Sequence, residues 1–227
     1  TMLETWVYIN AHWGLIGQLI LQHLEMVILG CGVGVVIGVS LGIFISEEGR
    51  EGIADVVLYL AEIMMTIPSL ALFGLLIPIL TAIHLPALGL LPAAIALVAY
   101  GLLPILRNTF TGIREVDPAI IEAGRGMGMN KKQLMYKIKI PLAVPVIMAG
   151  LRNAIIMNIG IAAIAVVIGV GGLGVPIFRG IRNFRFDLIL TGAIFVSFIA
   201  IVVDTFLGFI EKWVTPKGII KARSVNR

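Results

Sequence analysis

Charge is scarce in this sequence. Only 13% of its 227 residues are Asp, Glu, Lys or Arg, whereas 59% are hydrophobic and the mean hydropathy is +1.05. A soluble domain of this length cannot hide so much apolar surface, so lipid must form part of its solvent. Cysteine is almost missing. The single Cys31 lies inside an apolar run, which excludes an internal disulfide and argues against a thiolate metal site; no metal site is expected. Aromatics amount to 7%, and the basic residues neither share one soluble face nor alternate with aromatic ones, so nothing points to nucleic acid. HExxH and paired catalytic carboxylates are absent, and no enzymatic activity is expected. No basic stretch with a short apolar core and a small-residue cleavage site opens the chain, so no removable signal peptide is expected.

What the sequence has in abundance is apolar runs long enough to cross a bilayer. Runs of roughly 20 residues are required, and they predict an all-α membrane protein with spans at about 26–46, 56–83, 85–107, 141–170 and 188–211. These make one membrane domain over 25–215. The leader 1–24 mixes Asn10, His12, Gln18, Gln22 and His23 with Trp6 and Trp13, which suits an interfacial helix on the outer side. His12, His23 and His84 are all expected at an interface. Orientation follows from cations. With the N-terminus outside and the C-terminus inside, thirteen of the 17 Lys and Arg residues fall on the inner side, including those of a tail at 216–227. Only Arg179, Arg182 and Arg185 fall outside, while Arg152 lies within a span.

The segment 117–141, between the third and fourth spans, has helix-end chemistry of its own. Asp117 suits an N-cap and Pro118 a first helical position, where its missing N–H costs nothing. Gly128 suits the left-handed position that ends a helix, and Asn130 can cap a second helix over 131–140, ending at Pro141. A loop that merely fixed orientation would need neither caps nor a turn glycine. Glu122, Ala123, Gly124, three residues, Gly128, nine residues, Ile138, Lys139, Ile140 and Pro141 resemble the EAA loop of ABC importer permeases. Gly124 and Ile140 depart conservatively, standing where that pattern has Ala and Leu.

That resemblance implies the five-helix core of a type I importer of the methionine-permease kind, in a bacterial or archaeal cell membrane, with 117–141 as a cytoplasmic coupling loop. In the family the first short helix docks into a cleft on a cytoplasmic ATPase. Small residues at Ala123, Gly124 and Gly126 would allow close approach, Glu122 would meet a basic group, and Gly128 would permit the sharp turn. No GxxxxGK[ST] phosphate loop is present, so ATP and Mg would be held by a separate ATPase dimer and no cofactor by this chain. The runs EAGRGMGMNKKQLMYKIKIPLAVPVIMAGLRNAIIMNIGIAAIA and GVGGLGVPIFRGI look like permeases for osmoprotectants such as glycine betaine, choline and carnitine. Further partners implied are a second permease copy or close paralogue and an outer binding protein or lipoprotein, since a fused binding domain has no room. Methionine and sulfonate importers share the EAA pattern and remain alternatives for the cargo. An ion-coupled secondary transporter would need inverted repeats, and none is visible.

The remaining polar residues in or beside spans are candidates for the cargo pathway. Glu62, Arg152 and Asp204 would each cost about 2.5–3.5 kcal/mol at mid-bilayer, and a Glu62–Arg152 pair is the expected way to lower that cost. Pro68 and Ser69 could form a kinked pore wall. Asn153 and Asn158, five apart, do not share a face, so only one is expected to line a pore. On the outer side Gly171–Pro176 should break the fourth span. Arg179, Arg182 and Arg185 recur every three residues and would share a helix face, open to lipid phosphate or to the acidic rim of a binding protein.

Overall fold

A computed structural model describes residues 2–215, and within them every regular element is a helix. The tail expected at 216–227 lies outside the described residues. α1 (Met2–Ala11) is followed after His12 by α2 (Trp13–Ile45), a helix of 33 residues. At 1.5 Å per residue α2 is about 50 Å long, well beyond the roughly 30 Å apolar core of a bilayer. The expected division at residue 24 is therefore not where the chain breaks. Gln22 stays exposed and His23 is buried, and each meets distant backbone. Gly172 N–H donates to Gln22 Oε1 at 3.1 Å, and His23, wholly buried, places Nε2 3.1 Å from Ile159 O. His12 and His84 are exposed, as expected.

α3 (Glu51–Thr66) and α4 (Ser69–Ala82) occupy the span expected at 56–83, broken at the Pro68 and Ser69 kink that the sequence suggests. They meet at a 103° bend at Ile67 and Pro68. Proline disfavours a helical residue before it, and Ile67 is indeed extended, with ψ 126. The Tyr100 hydroxyl donates to the Ile67 carbonyl that the break exposes. α5 (Leu90–Arg114) is the central helix, packing on α2, α3, α4 and α8 (Ile140–Ala162). α10 (Phe186–Val214) closes the bundle against α8 and α9 (Gly174–Arg182). Four helices are long and apolar enough to cross a membrane, or five spans if the bent pair counts as one.

α2 and α5 pack closely along a glycine stripe. Gly30, Gly34, Gly38 and Gly42 recur every four residues along one side of α2, and α5 lies against it. A Cβ at Gly30 would sit 2.6 Å from Leu97 Cβ, and one at Gly42 would sit 2.7 Å from Thr109 Cβ. Lipid tails supply no hydrophobic drive between helices, so this backbone proximity supplies dispersion contacts instead. The core above it gathers Met26, Phe73, Leu97, Ile159 and Ile168, all essentially without solvent.

The fourth span begins earlier than expected. α7 (Lys131–Leu134) does not stop at Pro141 but runs through a π-turn (Met135–Lys139) into α8. Proline lacks an N–H for the carbonyl four residues back and its ring presses on that carbonyl. Widening the turn before Pro141 relieves both, so the helix bulges rather than ends. At the far end the backbone tightens into a 3-10 turn (Ala163–Ile168). Gly169 and Gly172 then take left-handed conformations before α9, as the glycine-rich sequence predicts.

Candidate functional site

The loop between α5 and α8 is built as its caps predict. Asp117 Oδ1 accepts from Ala119 N–H at 2.8 Å and Pro118 opens α6 (Pro118–Gly126). At the other end Met129 N–H donates to Gly124 O at 3.1 Å and Gly128 N–H to Arg125 O at 2.9 Å, with Gly128 at φ 80. This paired closure ends a helix and turns the chain sharply, and only glycine takes that backbone without strain. Asn130 Oδ1 accepts from Gln133 N–H while Gln133 Oε1 accepts from Asn130 N–H, both at 2.9 Å. Gln133 was not singled out from the sequence, although a polar amide three residues after Asn130 is a visible capping-box signal.

The residues of α6 divide into two faces. Gly124 is buried, and a Cβ there would meet Leu134 Cδ2 at 2.7 Å and Ile138 Cδ1 at 2.9 Å. Gly124 therefore brings α6 close to its own chain, not to a partner, which corrects the sequence expectation. Ile138 is half-buried beneath it, and Pro141 lies in the first turn of α8. Glu122, Ala123 and Gly126 are exposed, alongside Ile120 at 42% and Met127 at 75% exposure. The result is a short apolar knob with one carboxylate. Ile120 and Met127 escaped the sequence reading because isolated apolar residues carry no periodic signal.

Ion pairs anchor the knob. Arg125 donates to Glu48, in the turn after α2, at 2.6 Å, and Arg114 near the end of α5 pairs with Glu51 at 2.6 Å. Higher on α5, Arg107 pairs with Glu62. The expected Glu62–Arg152 pair does not form, because Glu62 on α3 faces α5 while Arg152 on α8 faces α10. Arg152 is shared by Asp204 at 2.7 Å and Glu211 at 2.8 Å. Asp204 and Glu211 are seven apart, two helical turns on one face, a spacing the sequence does display.

The other polar candidates scatter. Asn158 is fully buried, donating to Leu97 O at 2.8 Å and to Cys31 Sγ at 3.3 Å, so it ties α8 to α5 and α2 inside one chain. Asn153 is exposed on α8, Pro68 is exposed at the bend, and Ser69 is half-buried beside it.

At the opposite end of the bundle the three arginines do not share a face. α9 ends at Arg182, Phe184 turns left-handed at φ 54, and Arg185 begins the approach to α10. Asp187 takes the Arg185 guanidinium at 2.5 Å and holds it above its ordinary pKa. Arg179 and Arg182 stay exposed in the last turn of α9, where the helix dipole favours cations.

Residues 34–217 match the family model described as binding-protein-dependent transport system inner membrane component. The osmoprotectant import permease protein OsmW of Salmonella typhimurium is 42% identical over 96% of this chain and all of that protein. The glycine betaine/carnitine/choline transport system permease protein OpuCB of Bacillus subtilis is 38% identical over 90% of this chain and 91% of its own length. Among solved structures, an inward-facing MetNI methionine ABC transporter superposes with a TM-score of 0.80 at 22% identity, covering 91% of this chain and 99% of that one. A bacterial alginate ABC transporter, in complex with an alginate pentasaccharide-bound periplasmic protein, gives a TM-score of 0.68 at 16% identity, covering 94% and 88%.

Proposed function

Because the chain belongs to the family of binding-protein-dependent transport system inner membrane components, we propose that it forms the translocation pathway of an ATP-driven importer for compatible solutes. Glycine betaine, carnitine and choline are the proposed cargo, in keeping with the relatives' names. The observation that carries the mechanism is the α6 knob: a capped helix closed by Gly128, anchored through Arg125 to Glu48, and presenting Ile120, Ala123 and Met127 outward. Such a rigid projection suits a socket on a cytoplasmic ATPase dimer that holds ATP and Mg. Closure of that dimer would move α6, and the Arg125–Glu48 and Arg114–Glu51 pairs would pass the motion to α2, α3 and α5 as rigid bodies.

In this arrangement the α6 end faces the cytoplasm, and a second copy or close paralogue completes the pathway. Glu62 and Arg152 act as internal ties, since each is ion-paired within the chain; Asn153, unlike Asn158, remains a pathway candidate. Arg179 and Arg182 offer cations to the acidic rim of an outer binding protein, and reversing both should raise the binding-protein concentration that half-maximally stimulates the ATPase. Purifying the complex in mild detergent and reconstituting it tests the whole reading. Accumulation of a labelled compatible solute with ATP hydrolysis supports it; accumulation of methionine instead would replace the cargo. Glu122→Lys should leave the permease inserted but cut solute-stimulated ATPase at least tenfold.

A further inference from the structure

Beside the α6 knob lies a cavity of about 260 Å³ that shares Arg125 and Glu48 with the coupling role but also holds lysines that role does not use. Its floor is apolar, made by Ile43 near the end of α2, Leu134, Met135 and the Tyr136 side chain. Its rim holds four cations, Arg125, Lys131, Lys132 and Lys139, against the carboxylates Glu47 and Glu48. Both carboxylates are committed: Glu47 to Arg50 at 2.8 Å, and Glu48 to Arg125 at 2.6 Å with Lys139 at 4.0 Å. Lys131 and Lys132 carry no ion pair among the described residues. The rim thus has two uncommitted ammonium groups over an oily floor.

Position decides what such a pocket takes. Ile43 lies two residues from the end of α2 and Tyr136 four residues before α8 begins, so the pocket straddles the boundary between apolar span and water. Phe44, 46% exposed, adds apolar surface beside the floor, with the Arg50 guanidinium 3.7 Å over its ring. A soluble anion would satisfy the lysines and leave the floor wet. An anionic phospholipid satisfies both, with its phosphate on the lysines and its upper acyl chains on the floor. We propose that this pocket binds one anionic phospholipid of the inner leaflet and so ties α6, α7 and the α2–α3 turn to the bilayer surface. The proposal rests on the orientation given above, but not on the cargo or on the ATPase contact.

Native mass spectrometry of the full chain in detergent, titrated with phosphatidylglycerol or phosphatidylcholine of matched acyl chains, tests it. One phosphatidylglycerol should bind in preference to phosphatidylcholine. The double change Lys131→Gln and Lys132→Gln should weaken it roughly thirtyfold, as expected for losing ~1 kcal/mol per cation twice. Lys137→Gln, on the same segment but outside the cavity, should leave affinity unchanged, and so should arginine at both 131 and 132. Equal binding of phosphatidylcholine, or full affinity in the double glutamine variant, would overturn the proposal. So would an equal loss in the double arginine variant, because packing rather than charge would then be responsible. Millimolar inorganic phosphate should not displace the lipid; if it does, the site is for a soluble anion. Lipid bound to the chain alone should persist when the ATPase is added, and its loss would assign the pocket to that contact instead.

Discussion

A charge inside or beside a membrane span is tolerable only with a partner, and at the residue scale the partner decides the consequence of each mutation. Arg152 serves two carboxylates, whereas Glu211 serves one cation that Asp204 also holds. Arg152→Gln strands two charges and should cost about 2 kcal/mol; Glu211→Gln leaves one pair intact and should cost about half that. Thermal unfolding in detergent compares them, and equal losses would sink the shared-cation account. Glu62→Arg alone should be poorly tolerated, and Arg107→Glu added to it should restore expression. Both sets of partners follow from which helices touch. The cost of a lone charge within a span, which suggested Glu62 with Arg152, carries no such information.

At the scale of elements, caps were readable and continuations were not. Asp117, Gly128 and Asn130 act through hydrogen bonds to residues no more than three positions away or through their own φ, so local sequence suffices to place them. Gly128→Leu must force a side chain into left-handed backbone, at about 1–2 kcal/mol. It should loosen α6 without unfolding the spans, so uncoupled ATPase activity with an unchanged melting temperature is expected. Pro141, by contrast, was taken to end a helix, and the π-turn carried the helix past it. Whether proline breaks a helix or bulges it depends on what α7 and α8 pack against. The glycine stripe of α2 belongs here too. Its four-residue spacing is plain in the sequence, but that α5 fills it is not. Gly38→Leu would drive a side chain into Ile105, whose Cγ2 lies 2.7 Å from the position of a Cβ at Gly38, and should cost about 1–3 kcal/mol. Loss of folded protein on gel filtration would report it; a normal melting temperature would contradict so close a contact.

For the whole molecule, the proposed orientation places Trp6 outside and Met127 in the cytoplasm. In a Cys31→Ser background, Trp6→Cys should react with an impermeant thiol reagent added to intact cells, and Met127→Cys only in inverted vesicles. Both side chains are exposed, at 65% and 75%, so failure to label cannot be blamed on burial.

The helical class and the capped knob are properties the sequence determined by itself, because hydropathy and capping are local and the bilayer demands continuous apolar runs. The leader boundary, the depth of the bend at Pro68 and the Glu62 partner were settled by tertiary structure alone. Each depends on a contact between segments far apart in sequence. Gln22 holding Gly172, Tyr100 holding Ile67 and Arg107 taking Glu62 are such contacts. In a low-dielectric interior a polar group must find its partner wherever the packing puts one, and packing is not written in any local window.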